Sequence, residues 1–248
     1  MKNSLNKTVL SVALAGLAFM ALPAHAAHGL PPGDISSPVA SPFPPNFNAM
    51  TPLASSSSTL TSIGNSFTGT FTSAVYANTA SAADAMNPGF TLGMAVLDFV
   101  YQFSNAAHSL TSVGRLSLFN FAPASIPGQL SILAWDQAGD PDGAGTLFVA
   151  GQQAADNAER DTTGSSVGFN YGDDLMSHKI DPGESSFAIL LRVNTTNYTT
   201  GYFTAINGTA ATAAAYVPAA PIPEPETYAL LLAGLCVVSF VARRRKLD

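Results

Sequence analysis

Residues 97–103 read Leu97-Asp98-Phe99-Val100-Tyr101-Gln102-Phe103, and residues 67–75 read Phe67-Thr68-Gly69-Thr70-Phe71-Thr72-Ser73-Ala74-Val75. In both, large apolar side chains recur at every second position, the spacing that places them on one face of an extended strand. A helix would need the same residues three or four apart. The pattern returns at Arg115 to Phe121, Leu130 to Trp135, Thr146 to Ala150, Ser166 to Tyr171, Phe187 to Asn194, Tyr202 to Ile206 and Thr212 to Val217. Turn-forming sequences separate these runs: Asn87-Pro88-Gly89, Ile126-Pro127-Gly128, Asp140-Pro141-Asp142-Gly143, Asp181-Pro182-Gly183 and Asn207-Gly208. About nine short strands with no long amphipathic helix predict an all-β antiparallel β-sandwich over residues 60–217. The stretch from Gly151 to Thr163, with Asp156, Glu159, Arg160 and Asp161, reads as one short helix or an exposed loop.

Outward from this middle the composition changes. Residues 27–59 carry Pro31-Pro32-Gly33, Pro38, Pro42, Pro44-Pro45 and Pro52, then the Ser55–Ser58 tract. Prolines this frequent oppose both a helix and an internal strand. The segment is expected to be a flexible or partly extended leader, pinned to the domain through Phe43 and Phe47.

Residues 1–26 have the three parts of a secretory signal peptide. Lys2 and Lys7 precede an apolar run from Val9 to Leu22, and Ala24 and Ala26 form an A-x-A site for signal peptidase. At the other end, the run 228–242 is uncharged and mostly apolar and is followed by Arg243, Arg244, Arg245 and Lys246. Fifteen residues at about 1.5 Å each rise about 22 Å, against a hydrocarbon core of roughly 30 Å, so a transmembrane helix here must snorkel its arginines or thin the bilayer. The cation cluster is a stop-transfer signal: residues 243–248 stay cytoplasmic and the bulk of the chain lies outside the inner membrane.

Before that helix, in the linker 218–227, stands Pro221-Ile222-Pro223-Glu224-Pro225. The triplet Pro223, Glu224 and Pro225, the short apolar helix and the arginine-rich end together resemble the PEP-CTERM sorting signal. The resemblance implies recognition by an exosortase, a multi-pass membrane enzyme that removes such tails from proteins bound for the cell surface or the extracellular polymer layer. Two prolines hold the strand extended and free of helix, so a membrane protease can bind it. The strand-rich middle, with its turn Ile180-Asp181-Pro182-Gly183-Glu184-Ser185-Ser186, also resembles the β-sandwich bodies of PEP-CTERM proteins.

Between the two signals, residues 27–222 hold thirteen acids against four bases (Arg115, Arg160, Lys179 and Arg192), a net charge of −9 where the whole chain has −6. Four scattered cations cannot line a nucleic acid, so neutral polymers and divalent cations are the better-matched partners. The single cysteine, Cys236, lies in the C-terminal apolar run, which leaves the mature domain without disulfide, cysteine nucleophile or thiolate metal site.

Candidate chemistry is sparse. Asp136, Asp140 and Asp142 cluster in a glycine-containing loop whose oxygens would suit calcium, although the spacing is not that of an EF-hand and a tight turn explains the same residues. His28, His108 and His178 have no metal-ligand spacing, and neither G-x-S-x-G nor H-E-x-x-H occurs. Trp135, Tyr101, Tyr171, Tyr198 and Tyr202 are candidates for a sugar platform, with Trp135 foremost because it ends a strand beside the acidic loop. Asn194, Asn197 and Asn207 begin glycosylation triplets. The expectation is a non-enzymatic surface or matrix protein without an obligatory cofactor. Its membrane-anchored precursor would be processed at the tail, and extracellular polysaccharide is a candidate partner. A carbohydrate-binding module, calcium-assisted or not, and a secreted hydrolase are the alternatives.

Overall fold

The computed structural model describes residues 28–36, 39–40, 43, 51–121, 131–141, 147–172, 178–219 and 232–236. Two sheets pack face to face. The seven-stranded sheet runs in the order β1 (His28–Gly29), β8 (Ile132–Gln137), β11 (Ala188–Val193), β6 (Ala95–Asn105), β5 (Thr68–Thr79) and β4 (Ala54–Thr61), with β3 (Val39–Ala40) pairing parallel to β8. The six-stranded sheet runs β13 (Thr209–Pro218), β12 (Tyr198–Asn207), β7 (Arg115–Phe119), β10 (Ser166–Asn170), β9 (Asn157–Arg160) and β2 (Ile35–Ser36). All pairings but that of β3 are antiparallel.

The period-two residues do what their spacing predicts. Leu97, Phe99, Tyr101 and Phe103 of β6 meet Phe67, Phe71 and Val75 and, from the opposing sheet, Leu116, Leu118, Phe169 and Phe203 in the core between the sheets. Phe71 and Phe203 stack across the gap with centroids 3.6 Å apart. Fully burying side chains of this size stabilises by about 1.5–3 kcal/mol each. At the seam between β4/β5 and β13, side chains complete the backbone bonds: the Tyr101 hydroxyl donates to the Tyr216 carbonyl at 2.6 Å and the Tyr216 N–H donates to Ser73 Oγ at 3.1 Å.

Three expectations change. Residues 147–150 form no strand; their Leu147 and Phe148 instead pack over the seven-stranded sheet. Gly151 to Thr163 is neither helix nor plain loop, because β9 runs through it in register with β10 and drives Ala158 into the core. The leader is not simply an extended tether. Its serine tract is strand β4, paired with β5 at eight positions from Ala54↔Val75 to Thr61↔Thr68. An edge strand needs one laddered side and little apolar content, so Leu60, its single deeply buried residue, suffices. Upstream, β1 and β2 are two residues apiece and flank Pro31 and Pro32, yet β1 joins one sheet and β2 the other. Leu30 between them is 1% exposed and closes the end of the core.

A second buried cluster lies on the outer face of the seven-stranded sheet. Tyr76, Val96, Val100, Leu133, Trp135, Ala188 and Leu190 point outward from their strands and are covered by Phe43, Ala80, Phe90 and Phe148. Strand β6 is consequently buried on both faces.

Candidate functional site

The hairpin β12–β13, turning at Asn207-Gly208 with Gly208 at φ +69°, carries the chain to its exit. Tyr198 pairs with Pro218, and the Ala219 N–H donates to the Asn197 carbonyl at 3.0 Å. The tail is therefore fastened to the end of an edge strand until residue 219. Three residues lie between Ala219 and Pro223, so the triplet begins four chain steps, at most about 14 Å, from the sandwich even in a fully extended chain.

Pro223, Glu224 and Pro225, the stop-transfer residues Arg243 to Lys246, and the signal-cleavage residues Ala24 and Ala26 lie outside the described residues. Of the apolar run, residues 232–236 are helical. Among the described residues no helix is long and apolar enough to cross a membrane.

The structure separates the remaining candidates. Trp135 is 5% exposed and packs in the outer cluster, with the Arg192 guanidinium carbon 5.6 Å from its ring centre. That corrects its assignment as a sugar platform, because a ring closed from solvent cannot stack on a pyranose. Tyr101 and Tyr171 are equally closed, whereas Tyr198 and Tyr202 are exposed on the six-stranded sheet at 36% and 57%.

Asp136 follows Ile132 and Ala134 on the inner face of β8 and thus points into the sandwich. Its Oδ1 is buried with no hydrogen-bond partner among the described residues, and burial raises its carboxyl to about 6 from the usual 3.8 despite opposing bonds from the Ala155 backbone and its own. The neighbouring Tyr171 hydroxyl is pushed far up by burial and then by the Asp136 charge. Asp140 lies past the strand end, and Asp142 falls outside the described residues. Among the described residues no three His, Cys, Asp or Glu side chains gather as a metal site. His108 and His178 are exposed.

A buried charged triad among the described residues escapes a linear reading. Arg192 of β11, directly opposite Asp98 of β6, is 1% exposed. It donates Nε to Asp98 Oδ1 at 2.7 Å, Nη2 to Asp98 Oδ2 at 2.6 Å and Nη1 to Asp84 Oδ2 at 2.7 Å. Burial opposes its charge, but the bonds and charges of Asp98 and Asp84 win and hold the guanidinium above its ordinary value. Asn78 donates to Asp98 and Ser81 to Asp84, so both carboxylates are supported. This triad clamps residues 80–94 onto the sheet; its place is structural. Only the cross-strand register of Asp98 and Arg192, 94 residues apart, brings it together.

Residues 221–246 match the family model of the PEP-CTERM protein-sorting motif. The chain thus carries a C-terminal exosortase-substrate signal, the mark of a secreted protein processed by a membrane enzyme. The match covers the tail and none of the sandwich. The chain matches no curated protein and no solved structure.

Proposed function

We propose that the chain is an exported surface or extracellular-matrix protein with a structural or adhesive role and no catalysis of its own. The apolar run 228–242 holds the precursor in the inner membrane, the exosortase cuts near Pro223-Glu224-Pro225, and the sandwich then passes to the cell surface or polymer layer. The observation that carries this reading is the sorting motif at residues 221–246, set directly behind the last strand. A fold held by two packed clusters and a buried ion triad suits life outside the cell without disulfides.

Intact mass of the protein recovered from the surface fraction of its native cells tests the proposal. The expected species begins at Ala27 and has lost the arginine-rich end, and replacing Pro223, Glu224 and Pro225 by alanine leaves in the membrane a form that begins at Ala27 and still ends at Asp248. A surface species still ending at Asp248 would overturn the processing step. A second reading, a carbohydrate-binding module, is favoured by the exposed Tyr198 and Tyr202, which lie on the other sheet from the buried Trp135.

A further inference from the structure

The outer face of the six-stranded sheet is open to solvent along β12, and the strand register lets it be read row by row. One row runs Thr212, Thr204, Ser117, Gly168 and Glu159 across β13, β12, β7, β10 and β9. The row beside it, on the side of the β12–β13 turn, runs Ala210, Ile206, Arg115, Asn170 and Asn157 across the same strands. On the other side, toward the chain exit, Tyr202 stands directly opposite Phe119. At the start of β12, Tyr198 is opposite Pro218 and meets Tyr216 edge-on, with centroids 5.8 Å apart. Polar groups thus gather on β7, β10 and β9, between Ile206 of β12 and Ile35 of β2, and solvent-exposed rings stand toward the chain exit.

The polar cluster is prearranged. The Arg115 guanidinium lies flat on the sheet because residue 168 is glycine: a Cβ there would sit 2.4 Å from Nη2. Its Nε donates to Ser117 Oγ at 3.1 Å, its Nη1 to Asn170 Oδ1 at 2.8 Å, and its Nη2 to Glu159. Asn170 in turn donates to Asn157 at 2.6 Å. Three of the five guanidinium N–H groups are used by these bonds, and two remain at a side chain about a third exposed. Glu159 is held ionised, its carboxyl lowered first by the Arg115 hydrogen bond. A group positioned in this way loses little further freedom on meeting a ligand.

We propose that this face binds a neutral polysaccharide chain, with Tyr202, Phe119 and Tyr198 stacking on sugar rings while Arg115, Asn170 and Thr204 hydrogen-bond their hydroxyls. Charge selects the ligand class. The single cation and single anion of the two rows neutralise one another, and the mature domain is strongly acidic. Neither part attracts a polyanion, and nothing in the rows would hold a polycation. Exposed rings next to fixed donors and acceptors match a ligand with one apolar and one hydroxylated side. Tyr198 and Tyr202 lie four residues apart on one strand, roughly 13 Å, which is the reach of an oligosaccharide rather than of one sugar. Thr200 separates the two tyrosines and Thr204 follows Tyr202 on the same face, which breaks up the apolar area that a stable interface with a second copy would bury.

The proposal deepens the matrix reading above and rests on it for where the polymer is met, but its test is separate. Full-length chain in detergent micelles is run through native gels cast with hydroxyethyl cellulose, mixed-linkage β-glucan or galactomannan, with an alginate gel as the acidic control. The expected result is retardation in at least one neutral gel and none in alginate. Tyr202→Ala and Arg115→Met should each weaken it about tenfold, while Thr59→Ala on the other sheet leaves it unchanged. Circular dichroism and thermal melting establish that the variants fold. Absence of retardation in all three neutral gels, retardation in alginate alone, or equal retardation of folded Tyr202→Ala would overturn the proposal. So would a Tyr202-dependent self-association in sedimentation without polymer binding. The mass experiment on the tail is unaffected by any of these outcomes.

Discussion

The two outer faces of the sandwich begin from the same strand physics and end differently. On the seven-stranded sheet, residues 80–94, Phe43 and Phe148 close over the outward side chains and bury Asp98, Arg192 and Trp135. On the six-stranded sheet the equivalent positions stay in water, and the ion pair there, Arg115 with Glu159, is about a third exposed. One arginine is therefore a clamp and the other a candidate ligand contact. The difference teaches that strand alternation sorts side chains into two sets without deciding which set meets solvent. Covering segments decide that.

The comparison is most directly broken at Arg192. In Arg192→Met the Asp98 and Asp84 carboxylates stay buried without their cation, and the expected loss is about 3–5 kcal/mol in urea denaturation, with faster amide exchange across residues 80–94. A loss below about 1 kcal/mol would show that the clamp holds nothing.

A smaller effect is expected at Asp136, inside the sandwich. Its folded pKa of about 6 lies above the unfolded 3.8, so between these values the folded state keeps a proton that the unfolded state has released. Stability from this group is present below pH 3.8 and is lost as pH rises through 6. The loss is about 3 kcal/mol at most. Asp136→Asn should remove that slope and be the more stable protein at about pH 7.5, with little difference at about pH 3.5. Parallel pH profiles would contradict the buried placement.

Arg115→Met sharpens the contrast, since a partly exposed pair contributes less than about 1 kcal/mol and salt should erase even that. The Glu159 carboxyl is lowered, so what the pair contributes is present above the unfolded Glu value and fades as pH falls through the folded one. Gly168→Ala should change stability least, because the added Cβ meets the movable end of Arg115 rather than backbone. It should nevertheless displace the guanidinium and weaken retardation in the neutral gels.

Much of this was legible in the linear chain. Alternation located β5, β6, β7, β8, β10, β11, β12 and β13, and the tail declared its sorting signal through Pro223-Glu224-Pro225, the apolar run behind it and the terminal arginines. Strand β4 was hidden because serine and threonine show no apolar side, and β9 because Ala158 alone marks its inward face. Trp135 looked like a surface ring for a comparable reason: it alternates with Ala134 and Asp136, and nothing nearby in sequence reveals Phe148 and residues 80–94 lying above it.

By itself the sequence determined the extended conformation, the inward residues of the main core and the sorting address, all of which depend on side chains within a few positions of one another. Tertiary structure alone decided that Arg192 meets Asp98 and Asp84, that Asp136 turns into the core, and that the exposed rings belong to β7 and β12. These outcomes depend on register between strands far apart in the chain and on which loops cover which sheet, and no local period encodes either.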